Sequence, residues 1–128
     1  MHLGVLPGTH DSVVCLTLRG DRLLMVRHRD RAWEFPGGHA EPGEGIRDTV
    51  VREAWEEAGA TLGEVSVHGY YVLAGGHVTI VTSAQVVDVA PLSGDFETVE
   101  VGEFDSLPDD LSWSDGLYAH LLTVLGLP

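Results

Sequence analysis

Three glutamates close together on one short stretch pose the first chemical question. Residues 38–60 read GHAEPGEGIRDTVVREAWEEAGA, with Glu53, Glu56 and Glu57 crowded toward the end. The spacing predicts a helix from about Ile46 to Ala58, entered at Gly45, with Asp48 in its first turn and Gly59 as its stop. On such a helix Glu53 and Glu57 share a face and Glu56 lies one turn from Glu53. Like charges at that spacing cost roughly 0.2–0.5 kcal/mol per pair. A hard divalent cation removes this repulsion, because magnesium takes oxygen ligands and bridges carboxylates to substrate phosphates. A backbone carbonyl from the Gly37-Gly38 turn is a further oxygen donor, and Arg52 is placed to pair with one glutamate and fix its rotamer. Taken alone, the three glutamates are read more simply as a solvated acidic face.

The elements that must position them follow from pattern. Ile46, Val50, Val51, Ala54, Trp55 and Ala58 make one broad apolar helix face, with Glu53 and Glu57 at its margin and Glu56 further round. Upstream, residues 11–18 and 23–28 read as a strand hairpin, and 34–38, EFPGG, as a short extended piece ending in two glycines. Downstream, 64–74 and 77–89 read as strands joined across Gly75-Gly76. An acidic loop, 91–104, leads through another short strand, and 113–126 closes as an amphipathic helix with Leu117, His120, Leu121, Val124 and Leu125 at helical spacing. Strands, helix, strands, helix predict an α/β or α+β layer fold with helices on a mixed sheet. The 128 residues suit a single domain over 1–128.

Charge narrows the partners. Seven arginines and no lysine face 20 acidic residues, giving a net charge of −13. That argues against nucleic acid as the main partner, which needs a basic patch to meet phosphates. A small phosphorylated substrate remains compatible if metal cations or a local arginine cluster offset the repulsion. Arg27, His28, Arg29 and Arg31 form the one basic cluster, and a plain surface loop explains them as well as phosphate contact does. No apolar run reaches membrane-spanning length, so no membrane is expected. The start, MHLGVLPG, does not read as a signal peptide. Cys15 is the single cysteine and lies in an apolar strand-like run, so it reads as a small buried side chain in a reducing, cytoplasmic setting. The other histidines show no metal-ligand spacing, and Ser112, Asp115 and His120 lack the turn pattern of a nucleophilic triad.

The whole loop and helix changes the reading of the glutamates. Gly38, five residues, Glu44, seven residues, then Arg52-Glu53-Ala54-Trp55-Glu56-Glu57-Ala58-Gly59-Ala60 resembles the Nudix box, G-x5-E-x7-R-E-U-x-E-E-x-G-U, at every fixed position. Ala54 and Ala60 stand where the U positions more often hold Leu, Ile or Val. The preceding WEFPGG resembles the usual entry to that box, and the element order fits a Nudix-type α/β/α sandwich with a mixed β-sheet and two main helices.

The resemblance implies a hydrolase that cleaves a phosphoanhydride of a nucleotide with Mg2+ or Mn2+, acting on a small-molecule substrate as a monomer or homodimer. Carried over by position, Glu53, Glu56 and Glu57 are metal ligands beside the Gly37 or Gly38 carbonyl, Arg52 orients a catalytic glutamate, and Glu44 is a helper, structural or proton-accepting. Many members add a carboxylate from a later loop. Asp95, Glu97, Glu100 and Glu103 are the candidates, with Glu97 favoured because the GEF that follows resembles the GEW of the MutT branch, and Glu100 second. EFPGG and the box resemble the MutT-like members, which convert nucleoside triphosphates, including oxidised purine ones such as 8-oxo-dGTP, to monophosphate and pyrophosphate. On that reading Arg27 and His28 contact phosphate, Phe35 and Trp113 stack on the base, and Asp115 reads a purine; for each aromatic a core role competes. ADP-ribose or another nucleoside diphosphate sugar is the alternative substrate, and a non-catalytic nucleotide-binding sensor the alternative class.

Overall fold

The computed structural model describes residues 2–4, 6–92, 98–112 and 116–127. The elements are β1 (His2–Leu3), β2 (Ser12–Arg19), β3 (Arg22–His28), β4 (Trp33–Glu34), β5 (Gly37–His39), α1 (Ile46–Ala58), β6 (Ala60–Leu62), β7 (Ser66–Val72), β8 (Val78–Val89), β9 (Thr98–Phe104) and α2 (Leu117–Leu125). The sheet runs β1-β7-β8-β2-β3-β4, with β5 added to β2, β6 to β8 and β9 to β3. β2 and β8 pair in parallel, from Ser12 opposite Thr79 to Leu18 opposite Gln85. A parallel pair needs a long crossover, and the chain between these strands contains α1, as such connections usually do.

Alternation along β2 explains the layers. Val14, Leu16 and Leu18 face one way, into a core with Met25, Phe35, Val81 and the α2 residues Tyr118, Leu121 and Leu122. Val13 and Cys15 face the other way, against Val50 of α1, Ile80 and Ala84. Ala54 and Ala58 of α1 pack with Leu24, Val26, Ala60 and Val86. Both faces of the central strands are therefore covered, as their near-continuous apolar sequence requires. Cys15 is buried as expected, and burial pushes its thiol pKa up to about 12.

Both helices rotate from the faces expected of them. In α1 the buried residues are Thr49, Val50, Ala54, Glu57 and Ala58, while Val51 and Trp55 are more than half exposed. The buried stripe is narrow and rich in alanine, so it seats α1 close to the sheet and draws Glu57 in from the margin. In α2, Tyr118, Leu121 and Leu122 are buried, whereas His120 and Val124 are exposed. The short strands β1 and β6 were not expected either. Neither has an alternating run long enough to read, and their pairing with β7 and β8 is what makes them strands.

Candidate active site

The loop and helix are locked together before any chemistry is considered. Asp48 Oδ2 accepts the Gly45 N–H at 3.1 Å, closing the first turn of α1. Gly59 ends it in a left-handed conformation, φ 64°, and donates its N–H to Trp55 O at 2.9 Å. Gly37 and Gly38 pair with Val14 and Val13 of β2, and a side chain at either would meet a close neighbour. A Cβ on Gly37 would lie 2.4 Å from Val13 O, and one on Gly38 would lie 2.6 Å from the Glu53 carboxyl carbon. The glycine pair thus admits the backbone against β2 and a carboxylate against the backbone.

Arg52 gathers the first group of acids. Its Nε and Nη2 hold Glu44 Oε2 and Oε1 at 2.7 and 3.0 Å, a bidentate pair. Nη1 donates to Glu53 Oε1 at 2.8 Å and Glu56 Oε2 at 3.1 Å, and Nη2 also reaches His39 O at 2.9 Å. Glu44 further accepts the Glu41 N–H at 2.8 Å and the Thr49 hydroxyl at 3.1 Å. Hydrogen bonds from Arg52 above all hold the Glu44 carboxyl down at about 2. Glu53 differs: burial, followed by the charge of Glu57, pushes its pKa up to about 7 against the pull of Arg52.

Glu57 belongs to a second group. Its Oε1 accepts the Gly37 N–H at 2.7 Å, and its Oε2 lies 2.7 Å from His28 Nε2. The same ring nitrogen is 3.0 Å from Glu34 Oε1. His28 and Glu34 are 4% and 7% exposed. The close approach of the Glu34 carboxylate, then that of Glu57, outweighs burial and raises the His28 pKa to about 9. Burial works to raise Glu34, but His28 and the Ser112 hydroxyl prevail and hold it below the usual carboxylate range.

A cleft of about 710 Å³ opens beside these groups. Phe35, Tyr71, Leu73, Leu117 and Tyr118 give it an apolar wall, and Glu34, Gly37, Gly38 and Glu57 an acidic one. Phe35 is 3% exposed and meets Tyr118 edge-to-face at 4.9 Å, so it serves the core and the cleft wall together. Ser12, His77 and Thr79 add a polar corner, in which Ser12 Oγ is 2.6 Å from His77 Nε2 and 3.1 Å from Thr79 Oγ1.

The structure brings Gly37, Gly38, Glu44, Arg52, Glu53, Glu56 and Glu57 into one region, with Phe35 alongside. Arg27 and His28 are not among the cleft-lining residues: Arg27 pairs with Glu100 at 3.0 Å across β3 and β9, and His28 is buried behind Glu34 and Glu57. Glu103 lies 3.6 Å from Arg19. Asp95, Glu97, Trp113 and Asp115 lie outside the described residues. Sequence reasoning missed Glu34, Tyr71, His77 and Tyr118. Glu34 had a usable signal, since it sits in WEFPGG two residues before the turn. The others line the cleft only because β7, β8 and α2 converge there.

Comparison with known proteins bears on this geometry. A family model described as NUDIX domain matches residues 8–120. A Bacillus subtilis (strain 168) protein provisionally named 8-oxo-dGTP diphosphatase YtkD is 35% identical over 106 residues, covering 80% of this chain and 66% of that one. Nucleoside diphosphate-linked moiety X motif 6 of Mus musculus is 51% identical over 41 residues, covering 30% of this chain and 13% of that one. This chain thus spans less than two thirds of either relative. Among solved structures, a point mutant of the Bacillus subtilis pyrophosphohydrolase BsRppH superposes with a TM-score of 0.84 at 24% identity, over 94% of this chain and 83% of that one, a likeness of fold.

Proposed function

This chain belongs to the Nudix family, and from that premise we propose that it hydrolyses a phosphoanhydride bond of a nucleoside triphosphate, releasing monophosphate and pyrophosphate, with Mg2+ or Mn2+. The observation that carries the reading is the complete set of box acids, three of them held by the single Arg52 guanidinium, beside a cleft with one acidic and one apolar wall. A base fits the apolar side and the phosphates the acidic side.

The residues fit a divalent ion. Gly38 lacks the Cβ that would fill the space taken by the Glu53 carboxylate, and Glu53 carries a raised pKa because it is buried beside another acid. Hard oxygen donors suit Mg2+ or Mn2+. Glu53, Glu56 and Glu57, with a Gly37 or Gly38 carbonyl, would hold it, and its chemistry would be to neutralise phosphate charge and lower the pKa of water. The protein's own part is positional. Arg52 fixes the rotamers of Glu53 and Glu56, and Glu44 fixes Arg52. Both Glu44 oxygens are engaged and its carboxyl sits near 2, which favours a structural role over proton acceptance. In the reaction water oxygen bonds to phosphorus and sheds its proton to solvent, the bridging P–O bond breaks, and the departing phosphate group takes the electron pair.

Glu97 remains our proposed additional ligand, because Thr98, next in the chain, pairs with His28 in the β3–β9 register. Glu100 pairs with Arg27 and Glu103 with Arg19, both partly exposed on β9. The 8-oxo-dGTP in the name of the Bacillus subtilis relative supports a purine triphosphate as first substrate to try. The test sets normal and oxidised triphosphates beside ADP-ribose and nucleoside diphosphate sugars, with Mg2+, and identifies both products. Turnover of triphosphates to pyrophosphate is expected. Preferential release of monophosphate and a sugar phosphate would move the substrate class, and binding without turnover would make the protein a sensor.

A further inference from the structure

The box does not explain why a histidine is buried behind it. His28 Nε2 stands 2.7 Å from Glu57 Oε2 and 3.0 Å from Glu34 Oε1, yet among the described residues neither ring nitrogen has an aligned hydrogen bond. Glu34 Oε2, also buried, has none among the described residues either. Unpartnered buried polar atoms are costly and call for an occupant. One donor atom from each of His28, Glu34 and Glu57 lies within 4.8 Å of the others. Two neighbouring ligand atoms about 2.1 Å from a six-coordinate ion lie about 3 Å apart, which is the spacing seen here.

We propose that His28, Glu34 and Glu57 form a divalent-cation site of their own, sharing Glu57 with the box acids but drawing its other donors from β3 and β4. One imidazole nitrogen with two carboxylates is a mixed N/O set. It selects borderline transition ions such as Mn2+, Co2+ or Zn2+ over Mg2+, which prefers oxygen alone. The site is distinct from the Glu53–Glu56 group, in which one oxygen of each carboxylate is tied to Arg52. Burial behind the cleft means that this ion would be held by protein atoms in the absence of nucleotide. The rest of the molecule offers weaker candidates: exposed Val51 and Trp55 make an apolar patch on α1, but nothing shows what would cover it.

The test is Mn2+ binding to the metal-freed, nucleotide-free protein, read by pulsed electron paramagnetic resonance for 14N coupling and by equilibrium dialysis for stoichiometry. Wild type is expected to show imidazole 14N coupling to bound Mn2+. His28→Gln should lose the coupling and one Mn2+ equivalent, while Glu53→Gln should keep the coupling. Glu34→Gln, nearly isosteric and checked for folding by circular dichroism, should weaken the coupled site at least about tenfold. The proposal is overturned if wild type shows no 14N coupling, if coupling persists in His28→Gln, or, should that variant not fold, if Glu34→Gln binds Mn2+ as wild type does. Absence of nucleotide turnover with the coupling present would sink the proposed activity and leave this site standing. Turnover without the coupling would do the reverse.

Discussion

Helix α1 carries its acids into two different surroundings. Glu53 and Glu56 share an arginine with Glu44, partly open to solvent. Glu57, one position on from Glu56, is buried against a backbone N–H and a histidine. An arginine keeps its proton at any pH the protein meets, so the first group is held by a permanent charge in a planar fork. A histidine can release its proton to solvent and take a metal ion in its place, so the charge holding the second group is exchangeable. One helix thus offers a fixed arm and an adjustable one, set apart by rotation about its axis.

The sharpest way to break this comparison is to neutralise the acids. Glu56→Gln and Glu57→Gln should each lower kcat at least about a thousandfold with the fold retained, as expected for groups that organise charge in the transition state. Near-normal turnover in either variant contradicts the ligand assignment. Arg52→Lys comes next. Lysine cannot reproduce the bidentate bond to Glu44, so kcat should fall about 10- to 100-fold and unfolding free energy by about 1–3 kcal/mol. Denaturant midpoints and steady-state rates measure both.

The glycine pair separates position from stability. In Gly37→Ala the new Cβ meets the Val13 carbonyl, which is backbone, so about 1–3 kcal/mol of stability should be lost. In Gly38→Ala it meets the movable Glu53 carboxylate, so the melting temperature should hardly move while the rate falls. Equal destabilisation by both would remove the distinction.

The pH dependence of the metal-free protein follows from two raised pKa values. Glu53, up to about 7 when folded, favours the fold below its unfolded value near 4.5 and loses that contribution as pH rises through 7. His28, up to about 9, contributes fully below 6.5 and loses it as pH rises through 9. Both act in the same direction, so the melting temperature of metal-free protein should fall between pH 5 and pH 9. Adding Mn2+ should raise it more at pH 8 than at pH 5.5, where protons compete. The smallest effect expected is from Glu103→Gln, an exposed pair with Arg19, at under about 0.5 kcal/mol and with unchanged rate, whereas Glu97→Gln should slow turnover.

Much of the fold was legible because its signals are local. The β-branched apolar run in 11–18, the Gly75-Gly76 hairpin and the Gly45 and Gly59 helix limits each depend on neighbours in sequence. Short strands such as β6 did not announce themselves, since three residues carry no period and a partner strand decides. Within the site, the box acids were visible as a spacing, but their division was not. Whether Glu57 turns inward depends on how narrow the alanine stripe of α1 is and how close it sits to the sheet, and that is a packing fact. His28 reads as a basic residue among arginines until β4 and α1 bring Glu34 and Glu57 against it.

The central claim is that these acids serve metal-dependent cleavage of a nucleotide phosphoanhydride. The most direct measurement is pyrophosphate release from a purine nucleoside triphosphate panel, comparing saturating Mg2+ or Mn2+ with chelator, and wild type with Glu57→Gln. The account predicts equimolar monophosphate and pyrophosphate from the wild type with metal, and almost none with chelator or from the variant. Cleavage that survives chelation, or equal turnover by Glu57→Gln, would contradict it.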